Sequence, residues 1–339
     1  MKAMVLTAPG ELVLDEVTRP TRGAGDVLVR VTHSGICGTD YKIFNGSIPV
    51  RYPRIMGHEM AGEVVDAGDA ALGSGDRVIV DPELYCGACF HCRIGQTHLC
   101  PNGQLLGRDA NGGFAEYLAA PATHVFRLPD GIDRGAAPII QVLTTCLHAQ
   151  RRVDIFPGEY VVILGLGVTG QLHVQLAKAR GATVIGVTRS ADKRRLAETL
   201  GADLTVPGDD AAVQKVREAT EGRGPDVVIE TTGVVPQLAS AVTMVRSGGR
   251  ILMYGIITAK EGSLPFYDLY YKELSLINAR VAKSEDYPGA IGLVERGQVR
   301  LEPLISDVLP LGELKAAIGM LGSGGGAQRM KIVLEHGIS

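Results

Sequence analysis

The segment Tyr160-Val-Val-Ile-Leu164-Gly165-Leu166-Gly167-Val168-Thr169-Gly170, followed by Gln171 to Arg180 and Gly181, decides the fold. Tyr160 to Leu164 is a short, mostly apolar run, as expected of a strand buried on both faces of a parallel sheet. A G-x-G-x-x-G turn follows at once. Gln171 to Arg180 then repeats at helical spacing, with Leu172, Leu176 and Ala179 on one face, and Thr183 to Val187 reads as the next strand. A lone G-x-G-x-x-G says little, but one between such a strand and such a helix marks a dinucleotide-binding turn. The glycines permit a tight bend and let a pyrophosphate approach the helix N-terminus, where amide donors and the helix dipole favour anions. Gly165, Leu166, Gly167, Val168 and Gly170 are therefore the candidate phosphate-binding residues.

Strand and helix patterns continue to alternate. Asp192 to Leu200 reads as a helix, Asp226 to Glu230 as a strand and Pro236 to Val245 as a helix. Gly249 to Gly255 and Glu273 to Asn278 read as two more strands. Together these segments describe a doubly wound α/β sheet with helices on both faces. The ribose of the dinucleotide is read at the end of the second strand, where NAD enzymes place an acid to bind the 2′-hydroxyl. Here that strand ends Val187-Thr188-Arg189-Ser190, with Lys193 and Arg194 close by and no acid at Thr188. A carboxylate would repel a 2′-phosphate, whereas a guanidinium binds one through paired hydrogen bonds. Thr188, Arg189, Ser190 and Arg194 thus favour NADP, with NAD possible.

The residues before this region have a different character. Ala3 to Leu6, Leu12 to Leu14, Asp26 to Val31, Ala61 to Asp66 and Arg77 to Val80 alternate with polar turns and read as strands. No helical period of useful length precedes about residue 133. Cys86-x2-Cys89-x2-Cys92-x7-Cys100 forms a compact lobe over 84–102. Four thiols at this spacing wrap one zinc ion and leave no open position, which makes the site structural. His91 and His98 lie within the lobe and are read as loop residues, because the thiolates already saturate the metal. Upstream stand Cys37 and the pair His58-Glu59. Thiolate, imidazole and carboxylate are the side chains that hold zinc at catalytic sites.

Length and composition agree with two domains. The chain has 339 residues, 45% of them hydrophobic, and a formal net charge of −3. It has no basic run of the kind nucleic-acid binding requires. The most apolar stretch, 160–179, is interrupted by glycines and is a poor membrane span. Met1-Lys2-Ala3-Met4-Val5-Leu6 lacks the apolar core and cleavage site of a signal peptide, so the expected location is cytoplasmic.

Taken together, Gly35-Ile-Cys37-Gly-Thr39-Asp40, Gly57-His58-Glu59, the four-cysteine lobe, Gly112-Gly-Phe-Ala-Glu-Tyr117 and the glycine turn resemble the zinc-dependent medium-chain alcohol dehydrogenases. The likeness is to the polyol, threonine and sugar dehydrogenase branch. It implies a GroES-like, mainly β catalytic domain over 1–143, a Rossmann domain over 144–280 and a returning catalytic segment over 281–339. It also implies two zinc ions per chain, one catalytic and one structural, an alcohol substrate, and a homodimer or homotetramer.

Carried over by motif, Cys37 and His58 match two catalytic zinc ligands and Glu59 the neighbouring carboxylate. Thr39 matches the hydroxyl that takes the substrate proton, Asp40 the residue that steadies the histidine, and Thr145 a nicotinamide contact. Two positions depart from the family pattern. The third ligand, usually an acid or cysteine, falls on Gln141, which leaves three alternatives: Gln141 binds zinc directly, a water takes its place, or Glu59 is the third ligand. Lys42 stands where many relatives place a histidine at the end of the proton path, which leaves Lys42 or water in that role. The expected substrate lining is Ile43, Phe44, Ile48, Tyr85, residues 109–111 and residues 256–258. The competing readings are a zinc-free quinone or enone reductase and a non-catalytic NADPH-binding protein.

Overall fold

A computed structural model describes residues 1–322 and 329–337. The chain divides into two compact units. The first comprises Met1–Thr144, Lys283–Gly297 and Leu301–Ser339, and the second Thr145–Ala282 with Gln298–Arg300. The sequence reading put the boundaries at 143/144 and 280/281 and gave all of 281–339 to the first domain. Residues 298–300 go to the second unit for a local reason. Gln175 on the helix Val168–Ala179 exchanges two hydrogen bonds with the backbone of Arg300, 3.0 and 2.8 Å long. The Arg300 guanidinium also donates to the Thr199 carbonyl.

In the first unit a seven-stranded sheet runs in the order Val125–Arg127, Arg77–Val80, Glu59–Asp66, Asp26–Gly35, Lys331–Glu335, Ile305–Pro310, and Tyr117–Pro121 also pairs with Asp26–Gly35. The strand Asp26–Gly35 is central. Its last residue, Gly35, lies opposite Glu59 on one side and Val333 on the other. Side chains alternate faces along a strand, so Lys331 shares a face with Val333. That register brings Lys331 and Glu59 together over Gly35, which has no side chain to separate them.

The first unit is mainly β, and the short helix Gly38–Phe44 lies among its strands. At seven residues it is too short to show a period. It is fixed by a local cap instead, in which the Cys37 amide donates to Asp40 Oδ2 at 2.8 Å. This helix carries Thr39, Asp40 and Lys42. The cysteine lobe is closed at its base by antiparallel pairing of Glu83–Leu84 with Gln104–Leu105. It also contains the helical turns Phe90–Arg93 and Thr97–Leu99, which carry His91 and His98.

The second unit holds a six-stranded, wholly parallel sheet. Its order is Leu204–Pro207, Thr183–Thr188, Tyr160–Leu164, Val227–Glu230, Arg250–Met253, Ser275–Asn278. Numbered along the chain this is 3-2-1-4-5-6, the dinucleotide-binding arrangement. Val161 and Ile163 pack into one core, Val162 and Leu164 into another. Burial on both faces is why this strand reads as continuously apolar; each such side chain contributes about 1.5–3 kcal/mol. The edge strand Leu204–Pro207 and the helix Ala212–Ala219 were not among the expected elements. Only Val206 of that strand is buried, so it lacks the apolar run that marked the others. Among the described residues no helix is long and apolar enough to cross a membrane.

Candidate metal and dinucleotide sites

The first site is built around the buried carboxylate of Asp40. Its Oδ2 accepts from the Cys37 amide, and its Oδ1 lies 3.4 Å from His58 Nδ1. One side chain thus orients two candidate ligands, the arrangement by which carboxylates fix metal-bound histidines. Gly57 turns the chain into His58 with φ +93°, and a Cβ there would meet the Phe114 ring at 2.7 Å. Cys37, His58 and Glu59 each present a ligand atom, and these atoms lie within 4.8 Å of one another.

Burial opposes the imidazolium of His58, yet Asp40 and Cys37 hold its pKa well above the usual histidine value. Burial likewise opposes the Cys37 thiolate, and the hydrogen bond and charge of His58 more than offset it, drawing the thiol pKa down. The pocket therefore favours a thiolate with a cation beside it. A metal ion satisfies that demand in place of the histidine proton, so the donor set fits zinc.

Sequence reasoning missed the group that completes this cluster. Lys331 is buried and donates to Glu59 Oε1 at 2.8 Å, to Glu59 Oε2 at 2.7 Å and to the Ile36 carbonyl at 3.1 Å. Burial acts against the ammonium, but Glu59 and Cys37 outweigh it and raise the Lys331 pKa. A Cβ at Gly35 would collide with the Glu59 carboxylate, so the glycine is what makes room for the ion pair. Gln141 is buried on the helix Ile139–Arg151, where Thr144 Oγ1 donates to its carbonyl at 2.6 Å. Thr39 and Lys42 are half-buried.

The four lobe cysteines also come together. The Cys86–Cys100, Cys89–Cys100 and Cys86–Cys92 sulfur separations are 3.5, 3.8 and 4.0 Å. Four sulfurs about 2.3 Å from a tetrahedral zinc lie about 3.8 Å apart, so the cage already has the size of the ion. The Cys89 and Cys92 amides point at the sulfurs of Cys86 and Cys89, 3.4 and 3.5 Å away. Such donors favour thiolates. Without a metal the four cannot ionise alike: amide donors draw the Cys86 pKa down to about 6, while desolvation and neighbouring thiols push Cys92 up to about 12.

In the second unit each glycine of the turn has a distinct task. Gly165 has φ +91°, and a Cβ there would lie 2.7 Å from Thr231 Oγ1. A Cβ at Gly170 would strike the Gly165 carbonyl, whereas one at Gly167 would meet nothing within 4 Å. The middle glycine thus borders open space at the start of the helix Val168–Ala179, where a pyrophosphate is expected. The turn is braced from Val227–Glu230. Thr231 Oγ1 donates to the Leu164 and Gly165 carbonyls at 2.9 and 3.0 Å, and buried Glu230 accepts from the Thr232 and Gly233 amides. Thr231 and Glu230 went unnoticed in the sequence because nothing local couples them to the glycines.

At the ribose end, Arg194 Nη1 donates to the Thr188 and Arg189 carbonyls at 2.8 and 3.0 Å, and Ser190 caps the next helix. The Arg189 side chain is exposed and forms no ion pair among the described residues. Thr145 Oγ1 lies 2.7 Å from the Tyr254 hydroxyl.

A parallel dinucleotide sheet, a thiol–imidazole–carboxylate cluster and a four-thiol lobe in one chain define a zinc-type medium-chain dehydrogenase. Residues 23–130 match the family model described as alcohol dehydrogenase GroES-like domain, and residues 168–296 match the one described as zinc-binding dehydrogenase. The chain belongs to the zinc-binding alcohol dehydrogenase family. It is 35% identical over 316 residues to 2-dehydro-3-deoxy-L-galactonate 5-dehydrogenase of Pseudoalteromonas atlantica, covering 92% of each chain. It is 32% identical to sorbitol dehydrogenase of Halalkalibacterium halodurans, covering 98% of this chain and 99% of that one. A Sinorhizobium meliloti 1021 protein described as a zinc-binding dehydrogenase, solved bound to NADP, superposes with a TM-score of 0.92 at 34% identity, covering 98% of each chain.

The ion pair over Gly35 gives a stability prediction. Lys331→Met strands the buried Glu59 carboxylate and lowers unfolding free energy by about 3–5 kcal/mol in urea titrations. The double variant Lys331→Met/Glu59→Gln recovers part of that loss. Equal stability of wild type and Lys331→Met would contradict the assignment.

Proposed function

We propose that this chain is a zinc-dependent, NAD(P)-linked dehydrogenase that oxidises a secondary alcohol of a polyol, sugar or similar compound to the ketone. The observation that carries the reading is the Cys37–His58–Glu59 cluster, anchored by Asp40 and Lys331, in a chain that also has the dinucleotide turn. Cys37 and His58 hold the catalytic ion in this reading, and Glu59 or Gln141 completes its coordination. Cys86, Cys89, Cys92 and Cys100 hold a second, structural ion. When bound, zinc supplies Lewis acidity that lowers the alcohol pKa, and the nicotinamide accepts the hydride.

The chain's own groups do the rest. Thr39 takes the hydroxyl proton and passes it outward to Lys42 or to water. Asp40 holds His58 in the orientation that presents its other ring nitrogen. Lys331 offsets the Glu59 charge, so Cys37 alone contributes an unbalanced anion to the ligand set. Gly165, Leu166, Gly167, Val168 and Gly170 cradle the pyrophosphate, and Thr145 contacts the nicotinamide. Cys37, His58 and the thiol lobe speak against the zinc-free reductase reading.

The relatives named above act, by their names, on a sugar acid and on a neutral polyol, which supports a polyhydroxylated substrate. NADP is the preferred cofactor in this proposal. Exposed Arg189 and the missing acid at Thr188 support it, as does the NADP-bound relative. A homodimer or homotetramer is supported by the edge strand Ser275–Asn278 and by the exposed rings of Phe266, Tyr267, Tyr270 and Tyr271. The proposed location is cytoplasmic.

Three measurements test this reading. A spectrophotometric screen should give NAD(P)H formation from NAD(P) with polyols or sugar derivatives, and no consumption of added NAD(P)H with quinones or enones. Arg189→Asp should lower kcat/KM for NADP by about tenfold to a hundredfold while sparing NAD; equal losses with both cofactors would refute the assignment. Gln141→Ala should lower zinc content or turnover. If both stay at wild-type values, Gln141 is no ligand, and Glu59 or a water holds that place.

A further inference from the structure

Segments 49–54 and 102–109 of the first unit line an open pocket of about 690 Å3, bordered among others by Arg51, Arg54, Arg108, Asn102, Gln104 and Asp109. Three guanidinium groups face one carboxylate. That carboxylate is already engaged: Arg108 Nε and Nη2 donate to Asp109 Oδ2 at 3.0 and 2.7 Å, and the Leu105 amide donates to it at 2.8 Å. Arg51 and Arg54 form no ion pair among the described residues. Arg54 Nη1 has only the neutral amide oxygen of Asn111, at 3.3 Å, and its Nε is buried without a partner. Burial disfavours the Arg54 charge; Asp109 counters this, and Arg51 adds repulsion. Two cations held near each other, one with a buried orphan N–H, are costly to maintain unless an anion fills the space.

The position relates this cavity to the chemistry. Arg54 begins the short strand Arg54–Ile55, which leads through Met56 and Gly57 into His58. Four residues limit the Arg54–His58 Cα separation to about 14 Å. One arginine side chain and a sugar-length carbon chain together span such a distance. The cavity has the size of a small-ligand site, and Asn102 and Gln104 offer amide partners for hydroxyls. A guanidinium fork matches the paired oxygens of a carboxylate or phosphate.

We propose that the alcohol substrate bears an oxyanion, a carboxylate or a phosphate, that docks between Arg54 and Arg51, so that acidic polyhydroxy compounds are oxidised in preference to neutral polyols. This rests on the dehydrogenase reading and narrows its substrate class. Arg51 and Arg54 act as specificity residues, holding the far end of the substrate while its hydroxyl lies at the metal cluster.

The test uses the zinc-replete full chain with three matched substrate sets: neutral alditols, aldonates and alditol phosphates. Wild type should favour one acidic set over the neutral one by at least about tenfold in kcat/KM, and the set preferred identifies the anion. Arg54→Gln and Arg51→Gln should each reduce that ratio about tenfold or more, chiefly through KM, with partial recovery in Arg54→Lys. Arg51 is exposed, so its variant remains informative if Arg54→Gln folds poorly. A preference for neutral alditols, or a ratio unchanged in both variants, overturns the proposal. Calorimetric binding of inorganic phosphate, with saturating NADP filling the nucleotide phosphate sites, separates the two readings. Phosphate bound by wild type and lost in Arg51→Gln, with no alcohol oxidised, keeps the anion site and sinks the dehydrogenase. Alcohols oxidised with no phosphate bound and no acid preference sinks the anion site alone.

Discussion

The buried ion pair of Glu59 with Lys331 is the constraint on which the first unit depends. It joins the strand that follows His58 to the strand near the chain's end, across a central strand whose last residue is glycine. Each partner is tolerable inside only because the other is there, and the Ile36 carbonyl accepts a further ammonium hydrogen. The returning C-terminal segment therefore does more than complete a sheet. It delivers the positive charge that lets a carboxylate stand beside a candidate metal ligand.

The charges around that pair suit the divalent cation proposed for the Cys37–His58–Glu59 cluster. Cys37, Asp40 and Glu59 can each carry a negative charge, and one ammonium faces them. A dication makes up the difference. Asp40 and Cys37 favour positive charge at His58 even though burial opposes it. The cysteine lobe shows the same logic in simpler form: four thiols lie near the edge length of a zinc tetrahedron, with amides aimed at the sulfurs.

The parts legible in the sequence are those with local signatures. Tyr160–Leu164 announced itself because both of its faces are buried, and the glycines after it because their spacing is set by a turn within six residues. The cysteine lobe was legible for the same reason. Leu204–Pro207 was not, because an edge strand with one buried residue has no apolar run to display. The helix Gly38–Phe44 escaped because a carboxylate cap, rather than a period, defines it. Lys331 was out of reach for another reason: it sits 272 residues from Glu59, and its only local mark is a charge placed just before the apolar run Ile332-Val333-Leu334. The Arg51–Arg54 cavity was half legible. Its Asp109 side fell within the expected substrate lining, but the arginines become a site only when two distant loops face each other.

The central claim is that Cys37, His58 and their neighbours form a metal centre separate from the cysteine lobe. Zinc stoichiometry tests it most directly. Purified wild-type protein should hold two zinc ions per chain, and Cys37→Ser should hold one, with alcohol oxidation lost and the fold retained. A wild type with a single zinc ion that Cys37→Ser leaves in place would contradict the account.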